Sequence, residues 1–203
     1  MSNIVLKGST SGDVTITVPA AAGTNTLTIP ASTGEMLTTV STSSNVIPTI
    51  NLGTTVATTS GTAIDFTSIP SGVKKITMLF NQVSDNGSAP HQVQIGTSGG
   101  LVTSGYVSSG AYAGAATAGT TLGEGFIIGA GGAAGDKTVG IATIQTIGSN
   151  TWVFSATVGD GTAIYTKMGG GSTTLGGVLD RVRLSTTSGA TFDHGSLNIA
   201  WEY

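Results

Sequence analysis

Apolar and polar residues alternate with a period of two along most of this chain, and no window places apolar residues at i, i+3, i+4 and i+7 behind an N-cap. Gly, Thr, Ser, Val and Ile dominate, all weak helix formers. The pattern predicts an all-β protein. Candidate strands are Asn51–Thr58, Ala63–Phe66, Lys74–Val83, His91–Ile95, Gly125–Gly129, Thr138–Ile147, Thr151–Val158, Val178–Ser185 and Gly195–Tyr203. Turn signals separate them: Pro70-Ser71-Gly72, Asp85-Asn86-Gly87, Gly148-Ser149-Asn150, Gly159-Asp160-Gly161 and Ser188-Gly189. Roughly eight strands over about 150 residues is the count of a β-sandwich or jelly roll.

The clearest hairpin joins Thr138–Ile147 to Thr151–Val158. Val139, Ile141 and Thr143 alternate with Gly140, Ala142 and Ile144 on its first arm. Trp152 and Phe154 share a face of the second, and Leu197, Ile199 and Trp201 share a face of the last strand. In a two-layer sandwich these large residues belong in the core. The sequence stops at Tyr203, directly after that strand, so the terminus is expected within the sheet.

Residues 1–40 have another texture. Thr15-Ile16-Thr17-Val18-Pro19-Ala20 recurs eleven residues later as Thr26-Leu27-Thr28-Ile29-Pro30-Ala31. Each copy is a short β run closed by proline, which donates no ladder hydrogen bond. Two copies are too few for a solenoid, and the segment has too few bulky residues to close a core alone. It needs a partner, and copies of the same chain supply one; a loosely ordered leader is the bland alternative. Residues 41–50 read as a linker. The division is an attachment segment over 1–50 and a sandwich over 51–203.

Residues 97–135 read as long small-residue loops around one short strand, with Gly110-Ala111-Tyr112-Ala113-Gly114 and Gly129-Ala130-Gly131-Gly132 among them. Gly169-Gly170-Gly171 marks a second such stretch, so 169–174 is also read as loop. Long loops on a rigid scaffold often carry function. Tyr106 and Tyr112 stand there with little else to pack on, which is the composition of a binding surface. The competing reading is that these small residues allow close packing between subunits.

Composition narrows the chemistry. Of 203 residues, 7 are Lys or Arg and 10 are Asp or Glu, so 8% are charged, against about 25% in an ordinary domain. So few charges give little repulsion between copies, which suits an assembly. The net charge of −3 offers no footprint for nucleic acid. With no cysteine, disulfides, thiol catalysis and Cys-ligated zinc are excluded. A mean hydropathy of +0.28 argues against charge-driven disorder. No stretch approaches the ~18–20 apolar residues of a membrane span, and the start lacks signal-peptide organisation. The expectation is synthesis in a cytoplasm, without membrane insertion, and release by a route such as lysis.

Catalytic signals are thin. A glycosidase needs two carboxylates facing one sugar ring, whereas the acids here are scattered, several of them in turns. His91 and His194 are isolated in sequence; Asp193-His194 reads as a surface turn, and no calcium-loop spacing surrounds Asp136 or Asp160. No cofactor or metal is called for. Arg181 and Arg183 share a strand face, flanking Val182 and Leu184. They read as an outward face, with Arg181 beside Asp180, and as candidate grips for an anionic glycan.

Two blocks carry a family resemblance. Leu6-Lys7-Gly8-Ser9-Thr10-Ser11-Gly12, continuing through Pro19-Ala20-Ala21-Ala22-Gly23-Thr24-Asn25-Thr26-Leu27-Thr28-Ile29-Pro30, resembles an N-terminal segment recurring in tail fibres and other structural proteins of tailed bacteriophages. The second block runs from Ser60-Gly61-Thr62-Ala63-Ile64-Asp65-Phe66 through Pro70-Ser71-Gly72-Val73-Lys74-Lys75-Ile76-Thr77. With Ser149-Asn150-Thr151-Trp152 and Leu179-Asp180-Arg181-Val182-Arg183, it resembles a C-terminal module of the same proteins. The resemblance implies a virion protein, usually homotrimeric. It would join other virion proteins by its N-terminus and present a β-rich tip to a host surface glycan. Tyr106, Tyr112, Arg181 and Arg183 are then the candidate host contacts. The chain is short for a tail fibre, with little or no shaft between 40 and 51, which leaves capsid decoration or a head fibre as the alternative. A glycan-cleaving spike is a third class.

Overall fold

The computed structural model describes residues 3–7, 10–17, 24, 50–114 and 118–203. The chain divides into two units, Met1–Val46 and Ile47–Tyr203. In the first, β1 (Asn3–Lys7) and β2 (Asp13–Thr17) pair antiparallel, with Asn3 opposite Thr17 and Lys7 opposite Asp13. The second proline-closed copy at 26–31 and most of the linker at 41–50 lie outside the described residues.

The second unit is a two-sheet β-sandwich. Its strands are β3 (Asn51–Leu52), β4 (Val56–Ala57), β5 (Ala63–Phe66), β6 (Lys75–Asp85), β7 (His91–Thr97), β8 (Gly100–Leu101) and β9 (Val107–Ala113). They continue with β10 (Ala118–Leu122), β11 (Phe126–Ile127), β12 (Thr138–Gly148), β13 (Thr151–Asp160), β14 (Thr166–Thr174), β15 (Arg181–Thr186) and β16 (Phe192–Glu202). The larger sheet has nine strands in the order β10-β9-β14-β13-β12-β6-β16-β3, with β4 also on β16. The smaller has five in the order β11-β7-β15-β5, with β8 on β7. All pairings are antiparallel.

Alternation sets the core. Trp152, Phe154, Ala156 and Val158 of β13 are buried, whereas Ser155 and Thr157 between them are exposed. Ile76, Met78 and Phe80 of β6 meet Val93, Ile95, Val182 and Leu184 of the smaller sheet in one cluster. Phe126 and Phe154 stack with ring centroids 5.0 Å apart, joining the two sheets. Full burial of each such side chain is worth ~1.5–3 kcal/mol. Trp152 is buried, but Trp201 is only partly buried and packs against the cluster's edge.

The β12–β13 hairpin forms where the alternation predicts it. Its turn residues Ser149 and Asn150 both take positive φ, 49° and 56°, as a two-residue turn between twisted strands requires. The expected strand Asn51–Thr58 is instead two pieces, β3 and β4. The interruption is held by Asn198, whose Nδ2 donates to Gly53 O (3.0 Å) and Thr55 Oγ1 (3.2 Å).

The largest departure concerns the glycine-rich stretches, which are sheet and not loop. Residues 107–113 and 118–122 form β9 and β10, and 166–174 form β14. Inward-facing glycines here let β11 lie directly on the larger sheet. A Cβ on Gly169 would collide with the carbonyl of Ile127, and one on Gly110 would come within 2.9 Å of Gly129 Cα. Ser108 closes the joint: its hydroxyl accepts from Ile127 N (2.9 Å) and donates to Gly170 O (3.2 Å). The small residues therefore allow close packing within one chain.

Candidate functional site

Tyr106 is not a surface residue. Its side chain is buried, edge-on to Phe126 with centroids 4.8 Å apart. Its hydroxyl accepts from Ile95 N (2.9 Å) and lies 3.2 Å from both Ile95 O and Val102 O. Burial pushes the phenol up to about 12. The partners come from β7 and β11, so their convergence is a product of the fold. Tyr106 is withdrawn as a contact residue.

Arg181 and Arg183 flank the buried Val182, as strand alternation requires, and both are tied down. Arg183 forms a fork on Asp65, with Nε and a terminal nitrogen each donating over 2.7 Å. That hydrogen bond raises the guanidinium's pKa above its usual value. Arg181 donates to Asp180 Oδ2 (3.0 Å) and Ser98 O (3.1 Å). A ligand anion would have to compete with these partners.

Tyr112 keeps partial exposure at the far end of β9. It packs on Tyr165, centroids 5.1 Å apart, while Lys167 Nζ lies 5.7 Å from the Tyr165 ring. The Tyr165 hydroxyl donates to Asp136, which also accepts from Ala133 N (2.7 Å). Lys167 Nζ reaches Asp160 Oδ2 at 3.3 Å, and Asp160 caps the turn by accepting from Thr162 N (2.8 Å) and Ala163 N (3.0 Å). Burial would raise the Asp160 carboxyl, but the Thr162 and Ala163 donors and Lys167 hold it below its ordinary value. Behind this lies a pair that sequence reasoning missed. His91 Nε2 is 2.7 Å from Asp85 Oδ2, with Thr138 Oγ1 3.4 Å from Nδ1, all buried. Burial opposes ionisation of Asp85, yet the His91 hydrogen bond and charge, the Gly87 N–H and Lys167 together lower its pKa. His91 is thus not isolated; the five residues between it and Asp85 form the connection that brings them together.

The acids are largely engaged. Asp65, Asp85, Asp136, Asp160, Asp180 and Glu202 each contact a basic or phenolic partner, and Asp193 accepts from Ser84 Oγ (2.7 Å). Among the described residues, no group of three His, Asp or Glu lies within reach of a common metal ion.

The broadest feature is the outer face of the nine-stranded sheet. Register places Thr77, Thr143, Ser155, Gly170 and Ser109 in one row across β6, β12, β13, β14 and β9. The next row is Leu79, Ile141, Thr157, Met168 and Ala111. From β9 to β12 this face bears no charged residue. Its first charges are Lys75 and Glu202, which pair with each other at 2.9 Å. Val107, Ile141 and Met168 are exposed on it. Because Gly170 has no side chain, a shallow trough of about 830 Å³ runs over β14 and β9, floored by Gly170 and walled by Ser109, Thr121, Thr157 and Met168. A second trough of about 640 Å³ adjoins it, reaching Val107 and Ser172. Hydroxyls and aliphatics without charge suit contact with another uncharged surface. Sequence reasoning missed this face: the alternation in β12 and β13 is visible in the chain, but the continuation through β9 and β14 was hidden by their reading as loop. Comparison with family models, with curated proteins and with solved structures gave no match.

Proposed function

We propose that this protein is a non-enzymatic structural component of a tailed-phage virion, assembled in the host cytoplasm as a homotrimeric short tail fibre or adhesin. The residues 1–50 attach it to other virion proteins, and the sandwich forms the exposed head. The observation that carries the structural role is the broad uncharged sheet face, which suits association and offers nothing to catalysis. The engaged acids support the same reading: among the described residues Asp65, Asp85, Asp136, Asp160, Asp180, Asp193 and Glu202 already have partners within the chain. The phage assignment is supported by the resemblance of the two sequence blocks. Host contact, where it occurs, falls to the half-exposed Tyr112–Tyr165 pair, whose aromatic faces suit a neutral glycan better than an anionic one.

The test is localisation. Gold-labelled antibody raised against the purified protein should decorate intact particles at the tail end in electron micrographs. Label over the shell assigns it to capsid decoration, and unlabelled particles overturn the virion reading. Incubation with host polysaccharide should release no reducing ends; their appearance would reinstate a glycan-cleaving spike.

A further inference from the structure

We propose that a cavity at the β12–β13 turn binds a small amphipathic carboxylate, with its charged head on Lys74 and its apolar body, carrying one acceptor oxygen, against Trp152. The cavity shares no residue with the troughs of the sheet face or with the Tyr112–Tyr165 pair. The proposal therefore stands apart from the virion reading.

Three separate parts of the chain build it: residues 70–74 before and at the entry to β6, residues 146–152 around the hairpin turn, and Val178 with Leu179 ahead of β15. They surround about 510 Å³, within the range of roughly 300–1,000 Å³ taken by small-molecule sites. The walls sort by polarity. Val73, Trp152 and Leu179 are buried, whereas Lys74, Ser149 and Asn150 are exposed. Val178 adds an apolar side chain that is 60% exposed. Buried apolar walls give a small ligand its affinity, and a few polar groups fix its orientation.

Two polar groups of this cavity lack partners, and each specifies part of the ligand. Lys75 pairs with Glu202, but its neighbour Lys74 has no ion pair among the described residues. A free ammonium beside a cavity calls for an anion, and a carboxylate there makes a charge-assisted hydrogen bond. Trp152 is 4% exposed, and its Nε1–H has no hydrogen-bond partner among the described residues. Buried donors are ordinarily paired. An indole nitrogen only donates, so the group it lacks is an acceptor oxygen. Val73, Val178 and Leu179 favour a hydrocarbon body over an acidic sugar, whose ring hydroxyls would meet apolar side chains there.

The experiment titrates the full chain, labelled with nitrogen-15, with 6-oxoheptanoate while following the two indole N–H signals by NMR. Trp201→Phe assigns them, and Trp201, which is not part of this cavity, is the internal control. The expected result is a saturable shift of the Trp152 signal at millimolar ligand, with the Trp201 signal still. Heptanoate, which lacks the acceptor, and heptan-2-one, which lacks the charge, should each bind at least threefold more weakly. Lys74→Gln should bind the keto acid no better than the ketone, and Val178→Glu, which sets a negative charge on the cavity wall, should bind it at least threefold more weakly than the parent. Equal affinity for keto acid and ketone in the parent protein overturns the proposal, as does a Trp152 signal that does not move. Tighter binding of glucuronate than of 6-oxoheptanoate makes this a sugar site and likewise overturns it. Should either variant fail to melt cooperatively, the three ligands compared on the parent protein decide alone.

Discussion

Two halves of the same sheet are held to their opposite layer by different means. Where β6, β12, β13 and β16 face the smaller sheet, the joint is filled by bulk: Ile76, Met78, Phe80, Ile144, Trp152, Phe154, Leu197 and Ile199. Where β9 and β14 face β11, glycine replaces bulk: Gly110 and Gly169 bring backbone against backbone, and Gly171 leaves room for the Phe126 ring. The first half gains stability by removing apolar area from water. The second gains it by close contact and by the Ser108 hydrogen bonds, and tolerates no added volume. A glycine-rich stretch in a β protein can therefore be the tightest part of the fold.

That comparison can be broken most readily in the bulky half. Trp152→Ala should destabilise by ~3–5 kcal/mol in chemical denaturation, and Trp201→Ala by clearly less, because Trp201 stays partly exposed. Equal losses would show that the core extends further under β16 than described. At the junction of the halves, Tyr106→Phe should cost about 1–3 kcal/mol by leaving Ile95 N–H without its hydroxyl partner. A parental melt combined with lost adsorption would return Tyr106 to the surface.

Acid should loosen the ends of β6 and β13 through their buried carboxylates. Asp85 and Asp160 both have lowered pKa values in the fold, so each adds stability above the ordinary carboxylate range. That stability is lost as pH falls through their folded values. Thermal melts should therefore drop below about pH 4, and Asp85→Asn should remove part of the drop. A flat profile down to pH 3 would deny that these groups are ionised in the fold. The smallest effect is expected at Arg183→Ala. Its fork on Asp65 is largely exposed, and such pairs are worth ~1 kcal/mol or less.

The bulky half was readable from the chain and the glycine half was not. Val, Ile, Phe and Trp at period two announced β6, β12, β13 and β16 with boundaries close to those observed. β9 and β14 carry runs of Ser, Gly and Ala, which lack the β-branched or aromatic side chains that mark a strand, and their pairing partners are distant in sequence. Tyr106 was misassigned for the same reason: Phe126 and Ile95 become its neighbours only when the sheets close. Arg183 likewise finds Asp65 118 residues away. Alternation could predict that Arg181 and Arg183 share a face, but not what they would meet there.

Neighbouring glycines on β14 give the most direct test of this account. Gly169 faces inward onto Ile127, and Gly170 faces outward into the open trough. Alanine at each position adds the same methyl group to the same strand. In urea denaturation, Gly169→Ala should lose ~1–3 kcal/mol or more through overpacking, while Gly170→Ala should be neutral or gain up to ~1 kcal/mol. Equal effects at the two positions would contradict the backbone-to-backbone joint and return 169–174 to a loop.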